Sequence, residues 1–307
     1  MRLLVYGVFV SLCLGLPSAL LLWLWRSRAA SRVHLLGLIA LNAVVLVALT
    51  FSNLGVWYVL GGFWPAIFAA AFAAIVFVRV RRGLPRAWLP RRWSKEFFLT
   101  AANLVHAALW CSLLPMLWLA RAYEGEPLEL SSPLRGGTYY VMGGGANASV
   151  NHHAFIRAQR YALDLVELNG FGVRAAGLSP DDLNDYAVFG ARVVAPCEGE
   201  VVSVESTLPD RPLMDPDLEN PLGNHVVISC GGDSVVLAHL ESGTIPLAVG
   251  DRVATGGLVG NVGNSGSTME PHLHIHAVRG RHPDARGEGV PLRIDGRFLI
   301  KGDSLGR

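Results

Sequence analysis

Four long apolar runs within the first 120 residues constrain this chain more than any other feature. The stretches Leu3 to Trp25, Val33 to Phe51, Val56 to Val78 and Phe97 to Ala120 are 19 to 24 residues long and hold no Asp, Glu, Lys or Arg. At ~1.5 Å of rise per helical residue, each reaches across a hydrocarbon layer of ~30 Å. No ordinary soluble fold needs four such segments. The sequence therefore predicts a membrane domain of four transmembrane helices over residues 1–121. A secretory signal peptide would account for the first run alone. That run also exceeds the ~7 to 15 apolar residues of a signal and has no small-x-small cleavage site behind it.

Charge orients the helices and separates them from the rest of the chain. Residues 1–120 carry 11 Lys/Arg and one acid, whereas residues 121–307 carry 15 and 23. The first loop holds Arg26, Arg28 and Arg32, and the third holds Arg79, Arg81, Arg82, Arg86, Arg91, Arg92 and Lys95, while Ser52 to Gly55 between them is uncharged. Basic loops resist translocation, so loops one and three are expected in the cytoplasm. The acidic C-terminal half is then expected outside, on a multi-pass protein of the plasma (inner) membrane. A short basic connection between two helices reads as this topology signal with some anionic-lipid contact, and no nucleic-acid partner is expected. Within the spans His34 and His106 read as packed neutral side chains, and Cys13 and Cys111 as small apolar fillers.

Beyond residue 121 the pattern changes to short β-branched runs broken by Gly, Pro, Asn and Asp. Residues 122–150 read as a linker and a first strand, GTYYVM. The runs ALDLVEL, ARVVAP, GEVVSVES, NHVVISC, SVVLAHL and PHLHIHAV within residues 151–307 predict a mainly antiparallel β domain, with at most a short helix near Ser179 to Asn184. Cys197 and Cys230 fall on separate strands, where an extracytoplasmic compartment permits a disulfide; spacing leaves their pairing open.

Chemistry concentrates in GNSGSTMEPHLHIHAV, residues 263–278. On a strand His272, His274 and His276 share one face, so one imidazole can bind a metal while a second acts a few ångströms away. A lone H-x-H is weak, but it stands in the longer segment AHLESGTIPLAVGDRVATGGLVGNVGNSGSTMEPHLHIHA. That segment resembles the lysostaphin/LytM-type zinc metallopeptidases, which cut peptidoglycan peptides. The resemblance extends weakly back through NHVVIS and RVVAPCEGEVVSV to ALDLV, about Ala162 to Val278, under half of the chain.

The resemblance implies a β-sheet groove of β-sandwich type holding one Zn2+. His274 corresponds to the zinc ligand of the H-x-H strand, and Asp164 in RYALD to the acidic ligand of an H-x-x-x-D motif. His272 and His239 correspond to the two catalytic histidines that handle protons and transition-state charge. One position departs from the pattern: Arg160 stands where H-x-x-x-D places its first His, and a guanidinium cannot ligate zinc. His153 in NHHAFIRAQRYALD is the expected replacement ligand, with His152 as the alternative. His276 reads as groove-lining, His225 as a strand cap and His282 as a surface loop residue.

The expected function is thus a membrane-anchored zinc endopeptidase acting on peptidoglycan or another extracytoplasmic peptide. The alternative is a catalytically degenerate domain of the same fold that binds peptidoglycan or regulates another wall hydrolase. A lipoyl-type domain would also use the VGDRVATGGLVG turn pair, but it needs a modifiable Lys at a hairpin tip. The two lysines, Lys95 and Lys301, lie elsewhere. Transport by the helices is disfavoured by spans without charged residues.

Overall fold

The computed structural model describes residues 2–282 and 284–306, and it divides into two compact units, one over residues 3–118 and one beginning at Leu119. Among the described residues four helices are long and apolar enough to cross a membrane: Leu4–Arg26, Arg32–Phe51, Trp64–Arg81 and Lys95–Arg121. The third starts at Trp64 rather than at Val56, because the chain breaks first. A single turn, Trp57–Leu60, ends at Gly61 with φ +116°, a backbone region that suits glycine, and Pro65 then opens the next helix at a position where its missing N–H costs nothing. The Trp57 indole donates to the Leu49 carbonyl at 2.7 Å and ties that turn to the helix before it.

The helix Arg32–Phe51 is the buried centre of this unit. Ser31 caps it by accepting from the His34 N–H at 3.1 Å, and Leu35, Leu38, Leu41, Val45 and Leu49 repeat at helical spacing along its packed side. Gly37 lets Leu104 of the last helix approach closely, the small-residue contact expected where backbones must meet in lipid. His34 is packed as expected. His106 is not: it is exposed on its helix and turns its Nδ1 back onto the Ala102 carbonyl at 2.8 Å.

Among the described residues the second unit is built on an antiparallel sheet of nine strands. Its centre runs, in spatial order, Tyr139–Gly143, Leu163–Glu167, Leu273–Val278, Asp233–Leu240, Asn224–Cys230 and Gly199–Glu205. Alternation divides the side chains between two faces. Val141, Leu165, Ile275, Leu237, Ile228 and Val201 enter the main core, packed with Val193, Val259, Leu292 and Ile294 from smaller sheets. Val227, Val236 and Ala238 lie on the opposite face, in register with His276 and His274. Residues 122–150 are woven into this unit: Leu128–Leu130 pairs parallel with Leu292–Ile294, and Tyr139–Gly143 joins the main sheet. The helix expected near residue 179 is only a single 3-10 turn, Leu183–Asp185. Cys197 and Cys230, 33 positions apart in sequence, form a disulfide with Cα atoms 6.0 Å apart, a closure that stabilises the fold by about 3 to 4 kcal/mol in the chain-entropy account.

Candidate functional site

Asp164 and His274 face each other directly across adjacent antiparallel strands. Both are almost fully buried, and His274 Nδ1 lies 2.9 Å from Asp164 Oδ1. A carboxylate without solvent must find partners in the protein, and here they are imidazoles. His153 Nε2 sits 3.0 Å and 3.2 Å from the two Asp164 oxygens, and His272 Nε2 sits 3.6 Å from Oδ1.

His153 reaches this position because the chain doubles back before the Asp164 strand. Asn151, wholly buried, donates through Nδ2 to the carbonyls of Gly145, Arg160 and Ala162, and its Oδ1 accepts from the His153 N–H at 3.0 Å. One amide thus clasps both ends of the 152–160 excursion. His152 stacks on His153 with centroids 3.9 Å apart, but its side chain is 61% exposed and its Nε2 lies 3.6 Å from Asp164 Oδ2, farther than His153. Arg160 points elsewhere, toward Glu124 at 3.9 Å and the ring of Tyr161.

His239 enters the site against the strand's own alternation. Val235 and Leu237 face the main core while Val236 and Ala238 face the groove, so regular pleating would send residue 239 into the core. Instead His239 adopts φ +63°, an uncommon left-handed conformation for a side-chain-bearing residue, where the strand pairing shifts register. Its ring therefore lies 4.8 Å from that of His272 and 5.7 Å from that of His274. His239 Nδ1 donates to the Ser265 carbonyl at 2.9 Å, and His272 Nδ1 donates to the Glu270 carbonyl at 2.9 Å. Both bonds leave Nε2 as the reactive nitrogen. Glu270 is itself anchored by buried Arg174 at 2.8 Å and by the Tyr186 hydroxyl at 3.3 Å.

The electrostatics match a cation-binding pocket. Burial pushes His274 and His276 down to about 3, keeping both neutral, the form in which imidazole ligates metal. Burial, reinforced by His272 and His274, also holds His239 well below its ordinary value. Burial alone would raise the Asp164 carboxyl, but the charges and hydrogen bonds of His153, His274 and His272 outweigh it and hold the group well below the usual carboxylate range. Among the described residues two clusters of ligand-type atoms result, His152–His153–Asp164 and His239–His272–His274, the atoms of each lying within 4.8 Å of one another. A buried carboxylate surrounded by imidazoles forms the nitrogen and oxygen set that zinc prefers.

The sequence reading left some of this out. His276 is more than groove-lining: its Nδ1 meets His274 Nε2 at 2.9 Å, at 1% exposure. The Asn151 clasp and the Arg174–Glu270–Tyr186 support were also missed, since no local pattern marks a contact across 84 to 96 positions. His225 Nδ1 donates to the Gly223 carbonyl at 2.8 Å, and the His282 backbone N–H donates to Ser234.

Residues 183–285 match Peptidase family M23. The M23 match takes in His239, His272, His274 and His276 and begins after His153 and Asp164, which the fold brings to them. The resemblance to lysostaphin/LytM-type peptidases read from the sequence is thereby borne out, on an antiparallel-sheet domain beside four helices apolar enough to span a membrane. Solved structures similar to this chain include a zinc containing peptidase from Vibrio cholerae, 24% identical over 34% of this chain and 28% of that one, with TM-score 0.24. The catalytic domain of lysostaphin from Staphylococcus simulans is 19% identical over 47% of this chain and 81% of that one, with TM-score 0.28. A catalytic-domain mutant of the prophage-encoded M23 protein EnpA from Enterococcus faecalis is 19% identical over 56% and 93%, with TM-score 0.30. The chain thus spans little more than a quarter of the Vibrio protein. No curated protein matches it.

Proposed function

We propose that this chain is a membrane-anchored zinc endopeptidase whose C-terminal domain hydrolyses peptide bonds of peptidoglycan, or of another extracytoplasmic peptide, outside the plasma membrane. The observation that carries the reading is the convergence of His153, Asp164 and His274 on one buried point with His239 and His272 beside it. A degenerate regulator would have lost part of that set. Asp164, His153 and His274 are the proposed ligands, and His153 Nε2 stands where Arg160 cannot serve. Zinc held there would supply Lewis acidity, lowering the pKa of water to about 7 and polarising a peptide carbonyl.

The chain's own residues do the rest. His272, oriented by the Glu270 carbonyl, offers Nε2 to take the proton of the attacking water and then return it to the departing amide nitrogen. His239, oriented by the Ser265 carbonyl, faces the same space from the other side. With Nδ1–H spent on Ser265 and the ring kept neutral by burial, its Nε2 is bare and accepts a hydrogen bond from the attacking water, holding it in place for attack. The Cys197–Cys230 disulfide supports an oxidising, extracytoplasmic location for the domain.

The test is metal content and turnover of the detergent-solubilised full chain. About one zinc per chain is expected, with release of peptides from purified peptidoglycan. Asp164→Ala and His153→Ala should each remove or greatly weaken the metal. A parent chain that binds no zinc, or binds it and cleaves nothing, refutes the endopeptidase reading; full metal retention by His153→Ala moves the third ligand to His152.

A further inference from the structure

His276 is buried among apolar neighbours on the groove face of the sheet. It stands opposite Val236 in register, on the face that also carries Val202, Val227, Ala238 and Ala285. An imidazole in such surroundings loses its hydration, and leucine would fill the space at lower cost. Its one well-formed side-chain hydrogen bond runs from its Nδ1 to His274 Nε2, at 2.9 Å, while its own Nε2 faces the backbone of Ala285 outside hydrogen-bond geometry. The bond goes to the ring nitrogen of His274 that is turned away from Asp164.

We infer that His276 is a positioning residue for the metal centre, fixing the tautomer and ring plane of His274 so that Nδ1, and not Nε2, is presented beside Asp164. This inference rests on the zinc reading above and adds a residue to it. With a cation at Nδ1, the single ring proton of neutral His274 must sit on Nε2, and it donates to the bare Nδ1 of His276. The proton of His276 then sits on its own Nε2, on the Ala285 side. Without His276 the Nε2–H of His274 would have no acceptor in an apolar wall, and Nε2 and Nδ1 would compete as the metal-facing atom. Partners of this kind on ligating imidazoles are worth ~10- to 100-fold in metal affinity.

The isosteric pair His276→Leu and His276→Asn separates positioning from packing in the full chain. Asparagine places an amide oxygen near the Nδ1 position and keeps the acceptor; leucine has the same branching and offers none. Zinc affinity, measured by competition with a chelator, should fall ~10- to 100-fold in His276→Leu and stay within about fivefold of the parent in His276→Asn. The metal-stripped His276→Leu chain should keep its folded sheet by circular dichroism, so that the loss of zinc affinity is not a loss of fold. Nitrogen-15 NMR of the zinc-loaded parent needs no variant: it should find the His274 proton on Nε2 and the His276 proton on Nε2. Equal affinity for Leu and Asn variants, or a His274 proton on Nδ1, overturns the proposal. A parent that takes up no zinc instead overturns the metal reading itself, so the two failures are told apart.

Discussion

At the scale of single residues, the site is a set of imidazoles whose two nitrogens have been given different jobs. His239 and His272 each spend Nδ1 on a backbone carbonyl, of Ser265 and Glu270, so that Nε2 is left for substrate. His274 does the reverse, turning Nδ1 to Asp164 and Nε2 to His276. That division predicts which substitutions spare the metal. His239→Ala and His272→Ala should each retain the zinc and the fold of the parent while hydrolysis falls ~100- to 10,000-fold, the usual loss when a positioned proton-transfer group is removed. Turnover and metal content measured side by side check this. Near-parental rates in both variants would sink the catalytic assignment. The same residues show what was legible beforehand: H-x-H on a strand announces a shared face at once, but His239 was assigned only through the family resemblance, since regular alternation would turn it into the core and it reaches the groove only through φ +63°.

At the scale of elements, the site depends on a loop that sequence pattern cannot place. The excursion 152–160 carries two short 3-10 turns and almost no buried apolar side chains, so its own packing does not hold it. Asn151 does, through hydrogen bonds to three carbonyls separated by up to eleven positions from it. Asn151→Ala should leave buried carbonyls unsatisfied, at ~1 to 3 kcal/mol for each group stranded. The expected result is a chain that keeps its sheet by circular dichroism, loses protection from proteolysis within 152–160, and binds zinc as weakly as His153→Ala. A variant with parental protease resistance and parental zinc affinity would show that the loop is held by other means. The third long apolar run gives a parallel case: hydropathy merges residues 56–78 into one run, but Gly61 and Pro65 divide it into a turn and a helix.

At the scale of the whole molecule, an Arg-rich, acid-poor helical unit precedes an acid-rich β unit with a disulfide, and the proposal puts a membrane's two faces between the basic loops and the hydrolytic site. Reporter fusions after Arg86 and after Gly302 should report opposite sides, cytoplasmic for the first and extracytoplasmic for the second. Finding both on one side would end the topology and with it the wall-peptide substrate, because a cytoplasmic domain meets neither peptidoglycan nor an environment that keeps Cys197 and Cys230 oxidised. The sequence by itself determined the four long apolar runs, the β character of residues beyond 150, and the shared face of the H-x-H strand, whereas Asp164 was joined to that strand only through the family resemblance. Each rests on a local signal: unbroken hydropathy over ~20 residues, period-two alternation, or a contiguous motif. Tertiary structure alone decided that His153 lies nearer Asp164 than His152 does, how His239 turns into the groove, that Cys197 meets Cys230, and that His276 backs His274. These depend on where distant strands and loops meet in space, and a hydrogen bond between atoms 2.9 Å apart has no period that a chain could display along its length.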